Sequence, residues 1–353
     1  MSIWIWVDRY SAKVREDRRI SLGEGGTPCI RSRVIGPSLG LDQLYFKVEG
    51  SNPTGSYKDR FAALAVSRML ERGDHTCLAT SSGNTGAALA AYCAAAGLRC
   101  RIAVVESAPT GKLQQMMAYG AEVIRVRGFG LDAGITTAVF DRLNALGQKP
   151  GHALQISAYA YSPEGMEGVE SIAFELVEEF DEGWDSVFCP VGGGGLALAT
   201  ARGFAKSGDQ SPAIHCVQPA GNDTVASALR NGEAKGREVE CSTSISGLQV
   251  ASVIDGDEVI SKCRETGGTG HLVGDEEVWE MQRLLAREEG VFSEPAGAVA
   301  LAGLAKAVKK GDVNRAQRIV CLVTGSGFKD PESVQRINAD RACPIVEATD
   351  LFV

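Results

Sequence analysis

The chain reads as an α/β protein built on open parallel sheets, because short apolar runs repeatedly end in glycine- or hydroxyl-rich turns. Residues 77–80 lead into Ser81-Ser82-Gly83-Asn84-Thr85-Gly86 and an alanine-rich helical segment, and residues 186–191 lead into Gly192-Gly193-Gly194-Gly195 and another. The apolar run 319–323 ends in a similar turn, Thr324-Gly325-Ser326-Gly327. Strand, polar turn and helix in this order imply parallel strands joined by right-handed crossovers. A length of 353 residues suggests about two domains with sizeable cores.

Taken in order, residues 1–50 predict short strands, among them the aromatic and branched run 43–48, with a turn cluster over Ser21 to Pro28. The stretch KVEGSNPTGSYKDR, residues 47–60, puts a turn-forming run directly before Lys58. From Tyr57 to about Arg72, the apolar residues Phe61, Leu64, Ala65, Met69 and Leu70 fall at helical spacing and Gly73 gives a stop. Strands are expected over 101–106 and 122–126 with a helix over 111–119 between them, and helices over 196–205 and 275–289. The stretch 215–247 gives no clear pattern, and 331–353 reads as a surface extension.

Composition narrows the function. An apolar fraction of 44% with 42 glycines indicates a turn-rich globular enzyme, and a net charge of −8 with both signs interspersed argues against a nucleic-acid surface. The ten cysteines are scattered without a CxxC pair, which reads as small core residues in a reducing cytosol. Four separated histidines offer no metal cluster by spacing, so no metal is expected. The opening MSIWIWVDRY is too short to span a bilayer and lacks a basic leader, so the expected compartment is the cytoplasm, with no membrane partner.

Three stretches carry chemistry. Lys58 follows a defined turn at a helix start, and partial burial at a cleft would lower its pKa into the range where an amine attacks an aldehyde. Ser81 to Gly86 aims backbone N–H groups and hydroxyls at one spot at a helix start, either as an ordinary N-cap or as an anion site. Four consecutive glycines cost chain entropy, which a backbone cradle for phosphate explains, although nucleotide sites use similar loops.

The block with Glu49, Asn52 to Ser56 and Lys58-Asp59-Arg60 resembles the cofactor-lysine motif of fold-type II pyridoxal-phosphate enzymes, most closely threonine synthases. Ser21 to Pro28 resembles the run that precedes that lysine, Glu294-Pro295-Ala296-Gly297-Ala298 the family's EPAS/EPAG turn, and 324–330 its TGxGLKD run. The PVGGGGL wording looks more like serine and threonine dehydratases. The motifs stand in the family's order over residues 21–330.

The resemblance implies a fold-type II enzyme of two open three-layer parallel-sheet domains. Residues 52–155 would form a smaller domain that closes over substrate, and 1–51 with 156–353 a larger cofactor-binding one. It implies pyridoxal 5′-phosphate in Schiff-base linkage to Lys58, its phosphate on Gly192, Gly193, Gly194 and Gly195, and Asn84 at its phenolic oxygen. Thr324 or Ser326 would meet the pyridine nitrogen; Glu294 reads equally as a capping carboxylate. Ser81, Ser82 and Thr85 would hold a substrate carboxylate, with Ser157 and Ser162 as further substrate contacts.

The implied activity is elimination or replacement on a small amino acid, best named as O-phosphohomoserine to threonine plus phosphate, by a homodimer. A serine/threonine dehydratase or a β-replacing synthase of a nonstandard amino acid is the alternative, and a non-catalytic nucleotide-binding or scaffold protein the alternative of another class. One departure bears on the substrate. The phosphate-binding run of threonine synthases, roughly Asn-Ser-x-Asn-x-x-Arg, aligns with 156–162, where Ser157 survives, Ile156 and Tyr159 replace the asparagines and Ser162 replaces the arginine. A phosphorylated substrate would then need a cation from elsewhere, such as Lys112.

Overall fold

Ten strands fall into two separate sheets in the computed structural model, which describes residues 2–108, 110–208 and 211–351. In chain order the strands are β1 (Cys29–Arg31), β2 (Leu44–Val48), β3 (Thr76–Thr80), β4 (Arg99–Val105), β5 (Glu122–Val126), β6 (His152–Leu154), β7 (Ser186–Pro190), β8 (Ala213–Pro219), β9 (Gly270–Val273) and β10 (Ile319–Val323). The larger sheet has the order β1-β2-β10-β7-β8-β9 and the smaller one β5-β4-β3-β6. Every pairing is parallel except β1 with β2.

The helices are α1 (Ile35–Leu39), α2 (Lys58–Arg72), α3 (Asn84–Ala96), α4 (Thr110–Ala118), α5 (Ala133–Gly147), α6 (Pro163–Glu179), α7 (Gly195–Lys206), α8 (Ala226–Arg230), α9 (Gly256–Glu265), α10 (Asp275–Glu289), α11 (Pro295–Lys310) and α12 (Pro331–Ile337). Strands β7 and β10 are buried along their whole length, as expected of parallel strands covered on both faces. Alternate residues serve two cores: Val320 and Leu322 face the cluster holding α6 and α7, whereas Ile319, Cys321 and Val323 face the one holding α10 and α11. That alternation makes the larger sheet the middle of three layers. The first cluster continues through α2 and α3 to β3 and β4, so apolar packing joins the two sheets.

The strands and helices expected from the sequence are present, with ends shifted by one or two residues. The N-terminal segment differs. Besides the short strands β1 and β2 it holds a 3-10 helix, Ile3–Arg9, ahead of them. Ile3, Trp6 and Tyr10 recur every three or four residues, so one turn-forming face meets the core, with Trp6 and Tyr10 against Phe174 at 5.6 and 6.3 Å. The unpatterned stretch from residue 215 begins inside β8, and α12 forms within the expected C-terminal extension, its Ser333 buried. Among the described residues, no helix is long and apolar enough to cross a membrane.

A buried ionic network fixes the course of residues 47–60. The Arg60 guanidinium, wholly enclosed, donates through Nε and Nη2 to Glu49 at 2.7 and 2.8 Å and through Nη1 and Nη2 to Glu175 at 2.5 and 2.8 Å. It also reaches Ser171 Oγ at 2.9 Å and Thr27 Oγ1 at 3.1 Å. Lys47 Nζ, also buried, lies 2.9 Å from Glu175 and donates to the Thr27 carbonyl at 2.7 Å. Asn52 donates to the carboxylate and the carbonyl of Glu49, both at 2.9 Å, while its own oxygen accepts from Gly25 N–H. Two cations face two carboxylates, so the buried charge sums to zero.

Removing one member leaves charges stranded where water cannot reach them. Arg60→Ala should therefore cost about 3–5 kcal/mol of folding stability. Urea unfolding of both proteins at equal cofactor concentration measures this, and a loss under about 1 kcal/mol, the scale of an exposed pair, would contradict it.

Candidate active site

Lys58 is the first residue of α2, and its amine enters the cleft from that helix end. Two neighbours set its geometry. The Asp59 carboxylate accepts from the N–H and hydroxyl of Thr54 at 3.0 and 2.8 Å, tightening the turn that delivers the lysine. Lys58 Nζ donates to Ser157 Oγ at 2.8 Å and sits 4.4 Å from the centre of the Tyr57 ring. Burial lowers the Lys58 pKa to about 8, with the carboxylates of Glu294 and Asp255 opposing the shift. The amine is thus partly unprotonated near neutral pH.

Ser157 also connects the lysine to the glycine loop. A Cβ added at Gly195 would lie 3.2 Å from the Ser157 carbonyl and 3.0 Å from Met166 Cε. At Gly194, φ is +102°, and a Cβ there would approach Val259 and Asp255 at 3.0 and 3.2 Å. A side chain at either place would press on its neighbours. No side chain caps α7, which begins at Gly195, so the loop presents a helix N-terminus to the cleft, the arrangement that favours phosphate. Asp255 secures the far side: its carboxylate accepts from Tyr159 and Ala160 N–H at 2.8 and 3.0 Å, and its own N–H donates to the Gly193 carbonyl.

Asn84 and Thr324 converge on one buried carboxylate. Asn84 Nδ2 donates to Glu294 at 2.9 and 3.1 Å and Thr324 Oγ1 at 3.0 Å. Glu294 occupies the cap position of α11, but its side chain makes no capping bond, so the capping alternative falls away. Burial raises its pKa, which the hydrogen bonds from Asn84 and Thr324 oppose. Of the two hydroxyls considered for this position, Thr324 is buried beside Asn84; Ser326 is half-buried, and its Oγ accepts from Phe328 N–H at 3.4 Å.

Ser81, Ser82 and Thr85 are half-buried around the start of α3, with Ser81 Oγ accepting from Gly83 N–H. Ser162 is not gathered with them. Its hydroxyl accepts from Ile156 N–H at 3.1 Å, and it lines a separate cavity of about 800 Å³ with Arg68, Lys149, His152 and Glu164. Two lysines approach from other elements: Lys112 Nζ donates to Ser246 Oγ at 2.7 Å and Asp330 at 3.1 Å, and Lys329 Nζ to Gln115 Oε1 at 2.5 Å and the Thr54 carbonyl at 3.1 Å. Sequence reasoning left Glu294, Asp255 and Lys329 out of the site. Glu294 and Lys329 carried signals, their places in the Glu-Pro-Ala-Gly turn and in the 324–330 run, whereas Asp255 carried none.

These groups fit pyridoxal phosphate. A lysine with a lowered pKa, a bare-backbone helix start joined to it through Ser157, and an amide and hydroxyl aimed at one buried place are the donors that its aldehyde, phosphate and ring require. Residues 20–325 match the family model described as pyridoxal-phosphate dependent enzyme. The chain is 34% identical to threonine synthase of Methanocaldococcus jannaschii, over 96% of this chain and 84% of that one. It is 35% identical to threonine synthase of Synechocystis sp., over 89% and 79%. Among solved structures, maize serine racemase superposes with a TM-score of 0.75 at 24% identity, covering 96% of each chain. The processed form of threonine deaminase isoform 2 from Solanum lycopersicum does so at 0.74 and 21% identity, covering 97% of this chain and 93% of that one.

Two outcomes follow from this geometry. Below pH 8 the Lys58 amine is mostly protonated and has no lone pair to offer, so the rate at which apoprotein takes up pyridoxal phosphate should rise with pH to a midpoint near 8 rather than 10.5. Stopped-flow absorbance measures it; Lys58→Ala should give no lysine-linked chromophore, and a reduced adduct mapped to another lysine would refute the assignment. Gly194→Val, forced to φ +102° and against Val259, should weaken cofactor binding at least about tenfold at unchanged secondary structure. Equilibrium dialysis checks it, and unaltered affinity in the folded variant would count against the phosphate cradle.

Proposed function

The chain belongs to the pyridoxal-phosphate dependent enzyme family, and within that family we propose that it converts O-phosphohomoserine to threonine and phosphate. It is a threonine synthase-like lyase. The observation that carries the proposal is the Lys58 amine, made partly neutral by burial and held by Ser157 beside the glycine loop. When bound, pyridoxal phosphate supplies an electron sink for the substrate's α-carbon. Lys58 would hold the cofactor, and its amine, once free, would remove and return protons at the substrate's Cα and Cβ. Ser157 orients the amine through its 2.8 Å hydrogen bond, so its lone pair keeps one direction between steps. Gly192 to Gly195 bind phosphate through N–H groups, and Asn84 and Thr324 orient the ring. Thr324, a neutral partner, suits elimination and replacement better than transamination. Ser81, Ser82 and Thr85 receive the substrate carboxylate at the start of α3.

The missing arginine in 156–162 is offset from other elements. Lys112 and Lys329 bring two ammonium groups toward Thr54, Gln115, Ser246 and Asp330, and Lys329 lies within electrostatic reach of Glu294. These cations support a substrate with an anionic group at its far end. Within residues 52–155, the smaller sheet with Asn84 and Lys112 closes over that substrate while the Arg60 network keeps the start of α2, and with it Lys58, in place, and the enzyme works as a cytoplasmic homodimer. A second reading, deamination of serine or threonine, is favoured by the dehydratase-like glycine loop and by the absence of an arginine in 156–162.

Steady-state kinetics separates the two. Phosphohomoserine should give threonine and phosphate at a kcat/KM well above that for serine, threonine or phosphoserine. Lys112→Ala should raise KM for phosphohomoserine about tenfold or more, the worth of one charge-assisted hydrogen bond, with serine turnover unaltered. Faster release of ammonia and a 2-oxo acid from serine or threonine would overturn the threonine-forming assignment.

A further inference from the structure

Three cysteines that the sequence scatters meet under the smaller sheet. Cys77 in β3 and Cys100 in β4 are direct register partners on neighbouring parallel strands, so their side chains leave the same face. Cys93, in the last turns of α3, reaches that face from above. The three sulfurs all lie within 4.8 Å of one another. Cys77 and Cys93 are fully enclosed and Cys100 is 6% exposed.

The surroundings decide what such a group can hold. Sulfur ligands at about 2.3 Å from a central atom stand about 4 Å apart, so small side-chain adjustments would close the triangle. All three belong to the apolar core cluster, and the ionisable groups acting on them are one another; among the described residues neither a lysine, an arginine nor a histidine enters. The group also contains, among the described residues, neither a carboxylate nor an imidazole to serve as a fourth ligand. Three thiolates carry three negative charges into an apolar interior, where uncompensated charge is costly. A monovalent ion would leave two of those charges and a divalent ion one. A trivalent centre leaves none.

We propose that Cys77, Cys93 and Cys100 form a buried three-sulfur site for a trivalent thiophilic metalloid, of which arsenic(III) is the representative. The step balances without an oxidant or a proton sink: As(OH)3 and three thiols give a neutral As(S–Cys)3 and three waters, three As–O bonds giving way to three As–S bonds at constant oxidation state. The occupant would tie β3, β4 and α3 to one atom. It lies apart from the catalytic cleft, since Cys77 stands four residues before Ser81 and Cys93 nine after Asn84.

The experiment uses holoenzyme and sodium arsenite. After incubation and desalting, elemental analysis should find one arsenic per chain, and a thiol count on the denatured, arsenic-loaded protein should fall by three from ten. X-ray absorption at the arsenic edge should show three sulfur neighbours and no oxygen, a readout on unaltered protein that does not depend on any variant folding. Cys93→Ala should weaken retention about a hundredfold, as expected when one arm of a multidentate site is removed. Cys216→Ala, at another buried cysteine, should leave it unaltered. Arsenic bound by two sulfurs and an oxygen, retention unaffected by Cys93→Ala in a folded variant, or preferential capture of zinc by the same three sulfurs would each overturn the proposal.

Discussion

The enclosed guanidinium of Arg60 is the contact on which the catalytic end of the molecule rests. It stands two residues from Lys58 on the same helix and is held by Glu49 from the end of β2, by Glu175 and Ser171 from α6, and by Thr27 before β1. Three separate parts of the chain therefore agree on where α2 begins. A buried lysine amine at a helix start keeps one direction only if its backbone is fixed first. Apolar packing alone gives adhesion but little direction; a planar, forked cation with five donors gives both. Satisfying nearly every donor offsets the cost of desolvating the charge, and the balance of Lys47 and Arg60 against Glu49 and Glu175 leaves no net charge in the core.

Parallel topology does the remaining gathering. Strands β3, β7 and β10 end in the loops that carry Ser81 to Asn84, the four glycines and Thr324, and all of them open on the cleft that Lys58 enters. Strand carboxyl ends in open α/β sheets are where ligands bind, because loops there meet helix starts. The hydrogen bond from Asn84 to Glu294 shows how close this brings segments more than two hundred residues apart in sequence.

Much of this was legible in the sequence, for identifiable reasons. Strands β7 and β10 announce themselves as unbroken apolar runs because both faces are covered, and the turns after them are rich in glycine and hydroxyl groups because they must meet a ligand. The first helix did not announce itself: Ile3, Trp6 and Tyr10 spread their spacing over tightly wound 3-10 turns and sit among residues that also favour strands. Glu294 was ambiguous because a glutamate before proline is an ordinary helix start, and only the fold brings Asn84 to it. The thiol group under the smaller sheet was invisible because parallel register, not spacing along the chain, makes neighbours of Cys77 and Cys100. Asp255 escaped for the same reason, being nearly a hundred residues from the amides it accepts.

The segment after β6 is held almost wholly from outside the site. Its backbone is pinned by Asp255 at Tyr159 and Ala160 and by the Ser162 hydroxyl at Ile156, and the Tyr159 hydroxyl is anchored on Glu170. One side chain in it, Ser157, touches the Lys58 amine. Because the path of the chain is set by those fixed points, Ser157 meets the Lys58 amine from a backbone that does not depend on the lysine for its course. The segment is thus a rigid frame around one working hydroxyl, and a change to that hydroxyl would be felt at the amine without disturbing the strand and helix on either side.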